Sequence, residues 1–457
     1  MALPSGELRA GAAAFIERAG LGSPDYAGGS RTYRPAATRG EAVAYRVFRE
    51  RDIPIQVALG NYHAGITTSL AVDELLSRHP NEGIIKAGDL DFGHSRLAAL
   101  GRPGLDLGSP LRVVSEYPGL AEAFALRRRL ARYQLFAVAG RAWNYLPEDA
   151  DIALVAETVD VENLEVLEEV ADSSACLVVN REALASLDLS ALLAALPQAA
   201  SVRHSPSLLA ERGLGGEVGG ARGAPPPASS PHPPAVTLAL PDGHQQREGP
   251  EICRRAGLDI EGYDEKQALP RPQTVQRDLG LKVVRPQDMP QMVAIGAFDL
   301  GLTGRDCLHN HLAQFPNSPV EEVADLQRQR YRWAAVVHES VHAGDLPAAL
   351  EHWRAAGREV IRIASEYPNI ADHFARERHL GRYSVIPVVG ASEGFVPEDA
   401  EILIEGSETG KTWEANGLVP LQWLFESTMI LVANKGRRER SNHKSVEALV
   451  TRFGEAA

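Results

Sequence analysis

The feature of this chain that most restricts its fold is that it is written twice. LPSG at Leu3–Gly6 returns as LPDG at Leu240–Gly243, and AGL at Ala19–Leu21 returns at Ala256–Leu258 with the same spacing. RDIPIQVALGNYHAGIT (Arg51–Thr67) answers to QDMPQMVAIGAFDLGLT (Gln287–Thr303), and SEYPGLAEAF from Ser115 answers to SEYPNIADHF from Ser365. PEDADI (Pro147–Ile152) then matches PEDAEI (Pro397–Ile402), and CLVVN (Cys176–Asn180) matches ILVAN (Ile430–Asn434). Matches kept in one order imply a tandem duplication. Between the copies, GLGGEVGGARGAPPPASSPHPP (Gly213–Pro234) is too rich in Gly and Pro to pack. The expected layout is a first copy over 1–200, a flexible linker over 201–235 and a second copy over 236–457.

Within each copy, short apolar or β-branched runs alternate with amphipathic stretches. In the second, VTLAL, LKVV, DLGLT, WAAVV, EVIRIA, YSVIPVV and EILIE read as strands, with DMPQMVAIG and SEYPNIADHFARE as helices. Such alternation predicts an α/β fold with largely parallel sheets. Ser365 is the expected N-cap of the SEYPNI helix, and Pro368 fits its first turn, where a missing N–H costs nothing.

Composition narrows the function classes. The 457 residues carry 47 basic and 60 acidic side chains, a net charge of −13, which disfavours nonspecific binding to nucleic acid or acidic lipid. The start MALPSGELRAG lacks the basic and apolar parts of a signal peptide, and no apolar run approaches a membrane span. Cys176, Cys253 and Cys307 lie far apart without metal-ligand spacing, so neither disulfides nor a bound zinc are expected and a cytoplasmic setting fits. An anionic ligand must then be held by a local arrangement of helix ends, a few basic side chains or Mg²⁺.

EILIEGSETGKTWEANGL (Glu401–Leu418) is the candidate for that arrangement. A nucleotide phosphate loop needs four residues between its glycines, whereas Gly406 and Gly410 enclose three, one of them the acid Glu408. The stretch fits a phosphoribose site better. Thr409, Gly410 and Thr412 can aim donors at a monophosphate on a helix end, and Glu405 and Glu408 can accept from ribose hydroxyls. An ordinary strand-to-helix turn capped by threonine fits the same residues.

Taken together, RPQDMPQMVAIGAFDLGLTGRD (Arg285–Asp306), EYPNI (Glu366–Ile370), GASE (Gly390–Glu393) and EDAEILIEGSETGKTWEANGL (Glu398–Leu418) resemble the ATP phosphoribosyltransferase family over nearly the whole of both copies. The resemblance implies, in each copy, a two-lobed fold like a type II periplasmic binding protein with the substrate cleft between lobes. In the second copy one lobe would span roughly 236–335 with the C-terminal tail, and the other about 336–424. It implies joining of ATP to phosphoribosyl pyrophosphate at N1 of adenine, with Mg²⁺ neutralising the departing pyrophosphate. By the same token Thr409, Gly410, Lys411 and Thr412 take the 5′-phosphate, and Glu405 and Glu408 the ribose hydroxyls. Arg285, Gly304, Arg305, Asp306, Ser392 and Glu393 serve the acceptor nucleotide or pyrophosphate. The chain ends at Ala457 without the histidine-sensing domain of the family's larger members, so inhibition through such a domain is not expected. The fused, asymmetric form suggests recruitment to a purine-analogue pathway of the pentostatin and coformycin kind; a non-catalytic nucleotide-binding regulatory subunit is the alternative.

Departures from the pattern separate the copies. Opposite Gly304, Arg305 and Asp306 the first copy has Thr68, Ser69 and Leu70; opposite Glu393 it has Trp143; opposite SETGKTW it has ETVDVEN (Glu157–Asn163). The second copy departs too, with Asp242 and His244 where the family carries basic residues and DLQRQRYRW (Asp325–Trp333) in place of a glycine signature that the first keeps as DLDFGHSRL (Asp89–Leu97). The family works as dimers, so the first copy is expected either to stand in for a second subunit, lending Phe92, Gly93, His94 or Arg96 to a composite site, or to act only as a brace. A pseudo-dimer within the chain follows in both cases, and a homo-oligomer of the whole chain remains open.

Overall fold

The computed structural model describes residues 1–26, 33–36, 43–156, 164–197, 235–276, 278–390 and 392–457. The linker expected over 201–235, all but Ala235, and the stretch Glu157–Asn163 lie outside the described residues.

Each copy is α/β and two-lobed, with one five-stranded sheet per lobe. In the second copy the first lobe orders its strands Leu279–Val284, Val236–Pro241, Leu300–Gly304, Met429–Asn434, Val320–Asp325. The second lobe orders Tyr383–Pro387, Ile361–Ser365, Ile402–Ser407, Tyr331–His338, Leu418–Ser427. The first copy repeats both orders, from Arg46–Phe48 to Ile84–Asp89 and from Arg132–Ala137 to Glu165–Ser173. This is the periplasmic-binding-protein type II-like architecture, present in tandem.

The predicted strands of the second copy all form, but its sheets are mixed rather than largely parallel. Val236–Pro241 pairs in parallel with both neighbours, whereas Met429–Asn434 runs antiparallel to the two strands it separates. The chain crosses between lobes and returns, and a strand that arrives from the other lobe enters in the opposite sense. Ser365 is also not the N-cap of its helix. It ends its strand, donating to the Ile404 carbonyl at 2.8 Å and accepting from the Tyr367 N–H at 3.0 Å, while Pro368 opens the helix Pro368–Glu377.

The copies pack head to tail, each lobe against the opposite lobe of its sibling. Phe48, Ile53 and Val57 of the first copy share a core with Ala364, Ile386 and Phe395 of the second. Val114, Tyr145 and Ala153 share another with Val284, Met289 and Met292. Burial of this apolar surface is the main stabilising term. Equivalent polar contacts fix the register: Asp52 accepts from the Val389 N–H at 3.0 Å, and Asp288 from the Ala139 N–H at 2.8 Å. Tyr145 Oη adds a 3.0 Å hydrogen bond to Asp288. Burial raises the carboxyls of Asp52 and Asp288 to about 7 each.

Candidate active site between the lobes of the second copy

A cavity of about 270 Å³ opens between the lobes of the second copy, where strand ends from both sheets converge. The first-lobe wall carries Asp242 and Gln245 after the strand Val236–Pro241, Arg285 after Leu279–Val284, and Asp306 in the first turn of the helix Arg305–Gln314. The second-lobe wall carries Tyr331 and Trp333, the pair Glu366 and Tyr367, and Glu405 with Gly406. Tyr331 Oη and His244 Nε2 meet across the cleft at 3.2 Å.

The first-lobe wall mixes Arg285 with two acids, Asp242 and Asp306, whereas the charged residues of the second-lobe wall are acids alone. Arg285 Nη1 donates to the buried Asp242 Oδ1 at 3.3 Å, while Arg285 Nε and Gln245 Oε1 are buried without a hydrogen-bond partner. Unpaired buried polar atoms are costly, and here they belong to side chains that line a polar cleft. Opposite them, Glu405 accepts from Ser392 Oγ and from Trp413 Nε1, the latter at 2.7 Å. Burial, and after it the Glu393 charge, holds the Glu405 pKa well above the ordinary carboxylate range despite those donors. Glu366 is raised by burial and then by Glu393, with Arg49 of the first copy acting the other way. Three crowded carboxylates therefore face a wall that holds an arginine.

The corresponding cleft of the first copy is bridged by a side chain of its own. Arg51 Nη2 donates to Glu116 at 2.9 Å, and its guanidinium lies over the Tyr117 ring at 4.4 Å. Gln287 occupies that place in the second copy, where Glu366 and Tyr367 remain cleft walls.

Comparison with known proteins decides the family. The ATP phosphoribosyltransferase family model matches residues 49–198 and 285–455, once in each copy. The chain belongs to the ATP phosphoribosyltransferase family. A Moorella thermoacetica ATP phosphoribosyltransferase is 29% identical over 236 residues, 49% of this chain and 93% of its own length. One from Sorangium cellulosum is 31% identical over 205 residues, covering 44% of this chain and 86% of its own. Nearly a whole relative thus aligns with less than half of this chain, in accord with the duplication. Among solved structures, the Thermotoga maritima ATP phosphoribosyl transferase (HisG:HisZ) complex aligns over 48% of this chain and 98% of that one, at 19% identity and a TM-score of 0.39. The chain is a pentosyltransferase of this family.

The residues expected from the family pattern divide by position. Arg285, Gly304, Asp306, Ser392, Glu393 and Glu405 gather in or beside the cleft. Asp306 Oδ1 accepts from Ser427 Oγ at 2.8 Å, and a Cβ at Gly304 would stand 2.7 Å from Gln245 Nε2, so the glycine leaves that side chain its room. Arg305 turns away and pairs with Glu322 at 2.7 Å and Asp325 at 3.0 Å on the neighbouring strand. Glu408, Thr409, Lys411 and Thr412 are exposed, the first two on the turn before the five-residue helix Lys411–Ala415 and the others in its first turn. Gly410, at φ +75°, is the N-cap, in a backbone region that favours glycine, and its N–H donates to Ser407 Oγ at 2.9 Å. Thr409 Oγ1 accepts from the first helical N–H, that of Lys411, at 3.5 Å. Burial and then the Glu408 charge raise the Tyr331 phenol, which ties this turn to the cleft wall.

Phe92 and Arg96 lie elsewhere than at the second copy's cleft. Phe92 packs into its own lobe against Gly11, and Arg96 pairs with Glu169 and with Asp172 at 3.2 Å within its own sheet. Glu366 is the cleft residue that the motif assignment passed over. Its signal was present, since SEYP recurs in both copies.

Proposed function

We propose that the second copy's cleft transfers the 5-phosphoribosyl group of phosphoribosyl pyrophosphate to N1 of the adenine of ATP, with release of pyrophosphate. The observation that carries this reading is an open cleft with Arg285 on one wall and Glu366 and Glu405 on the other, the latter under the charge of Glu393, beside a first-copy cleft bridged by Arg51.

Transfer breaks the bond between the anomeric carbon and pyrophosphate and forms one to adenine N1, so positive charge builds on the ribose while the leaving group keeps its electrons. The protein's task is positioning and electrostatics. Arg285 binds leaving-group or acceptor phosphate oxygens through its planar fork. Glu405, held by Ser392 and Trp413, accepts from the ribose hydroxyls and favours the developing cation. The turn of Thr409, Gly410, Lys411 and Thr412 takes the 5′-phosphate with backbone N–H groups and the lysine charge.

The donor set suits Mg²⁺ arriving with substrate. No group of three potential ligands able to cage a metal occurs among the described residues, and Mg²⁺ commonly takes one or two carboxylates and completes its shell with phosphate oxygens and water. Glu366 and Glu393, crowded together, would hold it. When bound, the ion supplies charge neutralisation for the departing pyrophosphate.

The test is to mix the full chain with ATP, phosphoribosyl pyrophosphate and Mg²⁺ and to follow N1-ribosylated adenine by absorbance together with released pyrophosphate. Stoichiometric appearance of both supports the reading; pyrophosphate release only with another purine nucleotide would reassign the acceptor, and no release with any would defeat it.

A further inference from the structure

The cleft of the second copy borrows a charge from the first. The strand Arg132–Ala137 of the first copy runs into a loop that reaches the sibling's first lobe, where Gly140 lies against Arg285: a Cβ there would stand 2.7 Å from Arg285 Nε. The next residue, Arg141, adopts φ +52°, a left-handed conformation uncommon outside glycine. It directs its guanidinium to Asp242, with Nε 3.2 Å from Oδ2. Asp242 is 1% exposed and receives Arg285 Nη1 on its other oxygen at 3.3 Å. One buried carboxylate is thus shared by two arginines, one from each copy. The set is one-sided: the corresponding positions in the opposite pairing are Ser5 and Ala391.

Charge balance gives the arrangement its meaning. With Asp242 and Arg285 alone, the buried acid would cancel the arginine and leave the pair without net charge for an anion. Arg141 offsets Asp242, so the trio of one negative and two positive groups keeps one positive charge, and Arg285 retains its pull on the cleft. We infer that Arg141 is a positioning residue donated by the first copy, which acts through Asp242 to make Arg285 an effective binding group for a pyrophosphoryl anion in the second copy's cleft. This rests on the reading of that cleft as a phosphate site and specifies what the first copy contributes to it.

The test uses the full chain and inorganic pyrophosphate, with binding measured by calorimetry. Arg141→Gln should weaken binding about tenfold, the scale expected for one charge in a partly buried set. Arg141→Lys should stay within about threefold of wild type. The double variant Arg141→Gln with Asp242→Asn, which restores the single net positive charge, should recover most of the lost affinity. A merely structural arginine predicts the reverse for the double variant, since two supporting groups are then gone. Undiminished binding by Arg141→Gln, equal losses in the lysine and glutamine variants, or a double variant no better than the single would each overturn the inference. Wild-type chain that binds pyrophosphate with this charge dependence yet forms no product from ATP would defeat the proposed activity and leave the role of Arg141 standing.

Discussion

Arg51 ties the two lobes of the first copy together through its 2.9 Å hydrogen bond to Glu116, and Gln287, its counterpart in the second copy, leaves Glu366 on an open cleft wall. The two clefts share a scaffold, and this position accounts for much of the difference in their access. Restoring the plug should therefore silence the second copy. Gln287→Arg is expected to weaken phosphoribosyl pyrophosphate binding by at least about tenfold, by placing a guanidinium beside Glu366 and Tyr367. Arg51→Gln should create no second site, because Trp143 stands where the second copy has Glu393. Equilibrium titration would show one site per chain in wild type and in Arg51→Gln; two sites in the latter would contradict this account.

Glu405 carries the expected pH dependence. Its pKa is raised, so the ionised form that accepts from ribose hydroxyls grows as pH increases, and kcat/KM should climb on the alkaline side of neutrality. Ser392→Ala removes a donor that favours the ionised form and should move this limb to higher pH. Glu405→Gln should abolish the limb. A profile unchanged in both variants would remove Glu405 from the reaction.

The turn at Gly410 should be intolerant of side chains. Gly410→Val forces a β-branched residue to φ +75°, at a cost of about 1 to 3 kcal/mol, which tilts the turn away from its present shape. The KM for phosphoribosyl pyrophosphate should rise about tenfold or more, and Thr412→Ala should act in the same direction. Steady-state kinetics identical to wild type in both would show that the 5′-phosphate is bound elsewhere.

Asp288 makes the joint between copies sensitive to pH. Its folded pKa of about 7 lies above the ordinary 3.8, so its contribution to stability is fully present below the unfolded value and is lost as pH rises through 7. Asp288→Asn keeps an oxygen to accept from the Ala139 N–H and sets an NH2, which can donate to Tyr145 Oη, in the other place, without ionising. Relative to wild type its thermal midpoint should improve on going from pH 5 to pH 8, by on the order of 1 kcal/mol in stability terms. Midpoint differences that do not change across that range would refute the assignment.

The sequence made the architecture legible because hydrophobic periodicity and repetition are local properties. Seven strands between Val236–Pro241 and Ile402–Ser407 could be read from their apolar runs, though not Ile260–Tyr263, Ala268–Thr274 or Val320–Asp325, and Glu405 stood out as an acid near a strand's end. The antiparallel entry of Met429–Asn434 could not be read locally, since it depends on the chain's return from the other lobe. Arg305 illustrates a second limit: the motif places it beside Asp306, but only tertiary structure brings Glu322 and Asp325 to claim it. Arg141 was invisible for the same reason. Nothing near it in the chain reveals Asp242, about a hundred residues away and in the other copy.

Head-to-tail packing has a mechanical corollary. The four lobes form a closed ring in which each jaw is bonded to the opposing jaw of its sibling, so neither mouth can gape alone. With Arg51 latching one mouth, the aperture of the other is preset, and ligands should enter by rearranging side chains rather than by swinging a lobe. Small-angle scattering of the chain with and without phosphoribosyl pyrophosphate should then superimpose, whereas the latch-free Arg51→Gln chain should contract on binding.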